Sequence, residues 1–129
     1  MTDPLPPHPT VLIADDNAAQ RYAEKRVLTA AGYSVIEAAS GMDALKMAGS
    51  ADVMLLDLFL PDVDGFDVCK QLRASGATAA LPILHVSGVY GGDAAAAESQ
   101  RVGADGFLSK PVAPDRLLES VKVALHKGH

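Results

Sequence analysis

The chain has 129 residues, of which 49% are hydrophobic, 21% charged and 5% aromatic, with a formal net charge of -5. That balance fits one folded core and excludes a chain too polar to collapse. The mild acidity provides no basic patch for a phosphate backbone, so direct nucleic-acid binding is not expected.

Residues 1–9 (MTDPLPPHP) are proline-rich rather than apolar, which is neither a signal peptide nor an anchor, and read as a flexible tail before a domain over 10–127. Residues 10–14 (TVLIA) form a short β-branched run that stops at Asp15-Asp16-Asn17. Helix formers fill 18–31 and close on Gly32, the residue type expected just past a helix C-terminus. YSVIEA follows as a second strand, and Ser40 or Gly41 opens a short helix that ends near Gly49. Residues 52–56 (DVMLL) read as a strand buried on both faces, running straight into a carboxylate, Asp57. Asp64-Gly65 starts a helix to about Arg73, and 76–81 is a loop.

Residues 82–86 (PILHV) make a fourth strand ending at Ser87, followed by a stretch holding Gly88, Gly91 and Gly92 and an alanine-rich helix over about 93–102. Residues 104–109 make a fifth strand, which ends at Lys110-Pro111. The last helix opens at Pro114 and carries Leu117, Leu118, Val121 and Leu125 on one stripe at helical spacing. No apolar run approaches the ~18 residues of a membrane span. The single cysteine, Cys69, excludes an intramolecular disulfide and fits a reducing, cytoplasmic setting. Alternating strands and helices, with strands of little polar alternation, predict one α/β domain: a five-stranded parallel sheet with helices on both faces.

In such a sheet, ligands bind beyond the carboxyl ends of the strands, where strand order reverses. Four strands end on chemically capable residues: Asp15 and Asp16, then Asp57, Ser87 and Lys110. The second does not, which is sensible if it is the outer edge of a 2-1-3-4-5 order. Strands one and three would then be neighbours, and three carboxylates would crowd together. Such crowding calls for a proton or a cation. All-oxygen donors suit Mg²⁺, while the Lys110 ammonium and the Ser87 hydroxyl suit phosphoryl oxygens. Together these are parts for phosphoryl transfer, in which an Asp carboxylate can itself be the attacking group.

The segments VLIADDN, VMLLDLFLPDVDGF, ILHVSG and GADGFLSKPV resemble, in order and spacing, the successive signatures of two-component response-regulator receiver domains, the CheY-like superfamily. The resemblance spans nearly the whole chain after residue 9 and implies the 2-1-3-4-5, flavodoxin-like (βα)5 order. It further implies that Asp57 is the phospho-acceptor, Asp16 a direct Mg²⁺ ligand and Asp15 a ligand through water. The Phe59 backbone carbonyl would be the remaining protein ligand, Ser87 and Lys110 the partners of the phosphoryl group, Phe107 the switch aromatic and Lys110-Pro111 a cis junction. Phe107 lacks the hydroxyl that many relatives carry there, so any switch it makes must rest on packing.

Other readings of these residues fare worse. A calcium loop over DVDGFD would need oxygen ligands where Leu60 and Gln71 stand. A phosphatase with a second Asp two residues after its nucleophile meets Phe59. A flavin site would need a phosphate cradle where two anions lie. Asp62 and Asp64 read as turn residues, Asp64 capping the next helix, and His85 as a packed, hydrogen-bonded strand residue. His8, His126 and His129 form no metal cluster. Cys69 reads as a small buried group, and 94–97 (AAAA) as a closely packed helix face.

The expected function is a receiver that takes a phosphoryl group from a histidine kinase or histidine phosphotransfer protein and reshapes the face made by the fourth helix, fifth strand and fifth helix. It is not expected to be an enzyme in the turnover sense. The chain ends soon after the fifth helix, so it is expected to be either a free-standing receiver or a receiver segment of a hybrid sensor histidine kinase or other multidomain regulator. A receiver fold that binds partners without taking phosphate is the contrasting reading. The loop of 88–93 is expected to tighten when phosphate is present.

Overall fold

A computed structural model describes residues 7–88 and 92–128. Strand β1 (Thr10–Ala14) leads to α1 (Ala18–Ala30), β2 (Ser34–Ala38) and α2 (Gly41–Met47), which runs into a single 3₁₀ turn, Ala48–Ser50. Then come β3 (Val53–Asp57), α3 (Gly65–Ala74), β4 (Ile83–Ser87), α4 (Gly92–Arg101), β5 (Gly106–Ser109) and α5 (Pro114–Gly128). The sheet is five-stranded and its order is β2-β1-β3-β4-β5, with every neighbouring pair parallel. The predicted class, order and handover from strand to helix are those observed.

Alternation along the inner strands divides the core in two. Leu12, Met54, Leu56 and Ile83 face α2 and α3, where Ala44, Val68, Cys69 and Leu72 meet them. Val11, Ile13, Val53, Leu55, Leu84 and Val86 face the opposite way, onto Leu28 of α1 and Leu117, Val121, Ala124 and Leu125 of α5. Because both faces of β1 and β3 are covered, their sequences read as continuous apolar runs. Leu118, which shares the predicted stripe of α5, sits half-buried at its margin.

The helix ends explain the boundaries. Gly32 takes φ 98°, and the Gly32 and Tyr33 N–H groups donate to the Thr29 and Leu28 carbonyls at 3.1 Å each, the glycine-terminated closure that the sequence implied. Gly103, also at φ 98°, ends α4 in the same way, with the Ala104 N–H donating to the Ser99 carbonyl at 2.9 Å. That closure uses the Ala104 N–H, so β5 begins at Gly106 and not at 104 as the composition suggested. Asn17, Ser40 and Asp64 cap α1, α2 and α3 through side-chain oxygens.

Of the segment 1–9, residues 1–6 lie outside the described residues. Pro9 is buried, and its carbonyl accepts from the Ser34 N–H at 3.0 Å, carrying the β1–β2 pairing one residue further. The glycine-rich loop over 88–93 and His129 are likewise only partly described or undescribed.

Among the described glycines, Gly65 leaves the least room for a side chain. A Cβ there would stand 2.5 Å from the Asp57 carbonyl oxygen and 2.7 Å from the Leu58 Cα, neither of which can swing aside. Gly49 has nothing within 4 Å of the same construction. Alanine gains up to ~1 kcal/mol of helix propensity over glycine, but an overlap with backbone outweighs it. We expect Gly65→Ala to lose about 1–3 kcal/mol in urea unfolding, and Gly49→Ala to stay within ~0.5 kcal/mol of the parent or exceed it.

Candidate functional site

The carboxyl ends of β1, β3, β4 and β5 converge on one edge of the sheet, and the polar residues gather there because each of those strands stops on one. Asp15 directly follows β1, Asp57 is the last residue of β3, Ser87 the last of β4, and Lys110 directly follows β5 and is joined to Pro111 by a cis bond. Since β1 and β3 are paired, the side chains of Asp15 and Asp57 meet. Lys110 reaches them from the far side of β4. Its Nζ donates to Asp15 Oδ2 at 2.8 Å and to Asp57 Oδ2 at 2.9 Å. The lysine stem lies against Gly88, where a Cβ would come within 3.1 Å of Lys110 Cδ.

The second oxygen of each buried acid has a backbone partner. Asp57 Oδ1 accepts from the Phe59 N–H at 3.0 Å, and Asp15 Oδ1 from the Asn17 N–H at 2.9 Å. That is how a strand buried on both faces can finish on a carboxylate: the charge is desolvated but fully hydrogen-bonded. Asp16, next to Asp15, points to solvent, yet one oxygen from each of Asp15, Asp16 and Asp57 falls within 4.8 Å of the others. Three carboxylates against one ammonium leave the cluster net negative, so a hard divalent cation fits the oxygen donors present.

Burial raises the Asp57 carboxyl above its ordinary value; the Phe59 N–H and Lys110 pull it back, and the charge of Asp15 adds to the rise. Burial works the other way on Lys110, but the two carboxylates outweigh it and hold the ammonium above its ordinary value. The lysine therefore stays charged while its acids remain under-neutralised.

The structure brings together Asp15, Asp16, Asp57 and Lys110, with Ser87 buried at the adjoining strand end. Phe59, two residues after Asp57, is 55% exposed. Phe107 is half-buried on β5 and lines two cavities, one of about 320 Å³ against α5 and one of about 330 Å³ against α4. His85 is fully buried, as its strand position suggested. Its Nδ1 lies 2.8 Å from Ser99 Oγ and its Nε2 3.1 Å from the Gly65 carbonyl. The carbonyl can only accept, so Nε2 carries the proton and Ser99 donates to Nδ1. Burial lowers the pKa of this imidazole to about 4.

Three supporting groups escaped the sequence reading. Arg21 Nη1 donates to the Asp15 carbonyl at 2.6 Å and its Nε to Glu37 at 3.2 Å, bracing the acidic turn from α1. Asp62 accepts from the Gly41 and Met42 N–H groups at the start of α2. Glu24 is buried on the inner side of α1, with the Gln20 amide donating at 3.3 Å. No local pattern marks these residues; each becomes visible only when a second element packs beside it.

Comparison with known proteins agrees with this geometry. The family model for the response regulator receiver domain matches residues 11–122. The response regulator MprA of Mycobacterium avium is 38% identical over 124 aligned residues, covering 91% of this chain and 51% of that protein. The chain thus spans about half the length of the curated relatives it matches. Among solved structures, a CheY-like response regulator receiver domain protein from Methanospirillum hungatei has a TM-score of 0.84 at 28% identity, covering 94% of this chain and 96% of its own. The chemotaxis protein CheY4 of Vibrio cholerae has a TM-score of 0.83 at 33% identity, covering 91% and 98%. This chain belongs to the response regulator receiver domain family, the CheY-like proteins of two-component signalling. Among the described residues, no helix is long and apolar enough to cross a membrane.

Glu24 supplies a test of the electrostatics. Burial raises its carboxyl from the ordinary 4.5 to about 7; the Gln20 amide pulls it down, and the charge of Asp15 pushes it up. The folded chain holds this proton more tightly than the unfolded one, so stability falls as pH rises from about 4.5 to about 7 and stays reduced above. The full effect is on the order of 3 kcal/mol. Glu24→Gln should flatten that slope and exceed the parent in urea stability at about pH 8, with little difference at about pH 5. A variant that keeps the parent's slope would show that another group carries it.

Proposed function

We propose that residues 10–127 form a phospho-accepting receiver of a two-component phosphorelay. The observation that supports it best is the Lys110 ammonium bridging Asp15 and Asp57 at 2.8 and 2.9 Å, with Asp16 close by. In this reading, an Asp57 carboxylate oxygen attacks the phosphorus of a phosphohistidine on a histidine kinase or histidine phosphotransfer protein. The O–P bond forms as the P–N bond breaks, and the electron pair leaves with the imidazole. Asp15, Asp16, Asp57 and the Phe59 backbone carbonyl would hold Mg²⁺, which supplies charge neutralisation for the transferring group.

Lys110 then turns from the carboxylates to the new phosphoryl oxygens, and Ser87 donates its hydroxyl to them. The Lys110 backbone N–H donates to the Ser87 carbonyl at 2.8 Å, which joins the two strand ends. Movement at Ser87 and the following loop would repack Phe107, which has space on both its α4 and α5 sides. A downstream protein docking on α4, β5 and α5 would read that change. Hydrolysis of the acyl phosphate resets the domain, so it accelerates its own phosphorylation and dephosphorylation without being a turnover enzyme. A buried, unpaired Cys69 is consistent with a reducing, cytoplasmic setting. The same site would serve a free-standing receiver or one carried within a hybrid sensor histidine kinase.

With Mg²⁺ and a small phosphodonor, the intact protein should gain the mass of one phosphoryl group, and Asp57→Asn should gain none. Lys110→Met should slow the gain by about a hundredfold, the usual scale for removing one preorganised charge partner. A parent protein that takes no phosphoryl group under these conditions would instead be a partner-binding module with a receiver fold.

A further inference from the structure

The segment between β3 and α3, residues 58–64, is one wall of a cavity of about 280 Å³ whose other side is Asp16. Its neck is fixed by the fold: the Gly65 N–H donates to the Leu58 carbonyl at 2.9 Å, and Phe59 and Asp64 form a single antiparallel bridge. Its tip is held differently. Leu60 and Val63 pack their apolar side chains on the core, and Phe59 is exposed. The directional contact comes from Asp62. Its Oδ1 accepts from the Gly41 N–H at 2.7 Å and its Oδ2 from the Met42 N–H at 2.9 Å, with the Val63 N–H also on Oδ1 at 2.9 Å.

The two elements meet closely. A Cβ on Gly41 would lie 2.8 Å from Val63 Cβ and 3.2 Å from Asp62 Oδ1, so the junction closes only because position 41 has no side chain. The Met42 and Gly41 N–H groups also lower the Asp62 carboxyl below its ordinary value.

We propose that Asp62, seated on Gly41, is a positioning residue for the cation site: it fixes the tip of 58–64 to α2 and thereby holds that wall of the cavity in place against Asp16. This rests on the receiver reading above. Asp62 does not itself ligate the ion, since both its oxygens are engaged by α2. Loss of such an outer-shell partner typically weakens metal affinity by 10–100-fold. The link also lets a shift of α2 reach the cation site through the Asp62 carboxylate.

The test is Mg²⁺ binding to the intact protein by calorimetry, alongside thermal unfolding. Asp62→Ala is expected to weaken Mg²⁺ by about tenfold, with Asp62→Asn in between because one acceptor oxygen remains. Gly41→Ala, which pushes the same junction apart from the helix side, should weaken it similarly. Ser40→Ala provides the contrast: it removes the Ser40 Oγ cap on the Asp43 N–H, loosening α2 without touching 58–64, and should leave Mg²⁺ affinity unchanged. Excess Mg²⁺ should restore phosphorylation of Asp62→Ala by a small phosphodonor to near the parent rate. Parent-like Mg²⁺ affinity in Asp62→Ala, or an equal loss in Ser40→Ala, would overturn the proposal. A parent that binds no Mg²⁺ would overturn the cation site itself, and this inference with it.

Discussion

One ammonium shared by two buried carboxylates organises this molecule. Lys110 comes from the end of β5, while Asp15 and Asp57 come from the ends of β1 and β3, so the contact spans four strands of the sheet. It forms only if every intervening strand is present and in register. An isolated carboxylate at these depths would be driven to protonate, and an isolated lysine to lose its proton. Paired with Lys110 and tied to the Phe59 and Asn17 N–H groups, both acids have their oxygens satisfied, and three carboxylates face one ammonium. That residual charge is what fits it for a divalent cation and, in the function proposed, for accepting a phosphoryl group.

Around that contact the fold divides its work between stiff and adjustable parts. The inner strands are buried on both faces and hold the acids in place. The connections carry the polar supports. Arg21 braces the Asp15 carbonyl from α1, and Asp62 ties the 58–64 segment to α2. His85 joins β4 to the start of α3 and to Ser99 of α4. The β1–α1 and β3–α3 connections at the reactive edge are therefore each tied to a helix. Buried polar groups in such places are useful only when satisfied, and none of the described buried side-chain atoms lacks a partner.

Much of this was legible along the chain. Continuous apolar runs in β1 and β3, the capping residues Asn17, Ser40 and Asp64, and Gly32 after α1 each report a local requirement that one stretch of sequence must meet. The strand-end positions of Asp15, Asp16, Asp57, Ser87 and Lys110 follow from the same patterns, as does the family resemblance they carry. The sequence also marked His85 and Cys69 as interior groups, because each sits at a position whose neighbours are apolar. The start of β5 was less legible, since Ala104 is drawn into the closure of α4 rather than into the sheet.

The elements, the fold class and the residues at the reactive edge are legible along the chain, because they depend on local periodicity, caps and composition. Which oxygens face the Lys110 ammonium, the burial of Glu24 and the reach of Asp62 to α2 emerge only once the chain is folded. Those facts depend on the distance between side chains many residues apart, and that distance is set by how the helices seat on the sheet. A hydrogen bond or a desolvated charge is a property of that packing, and no single stretch of chain carries it.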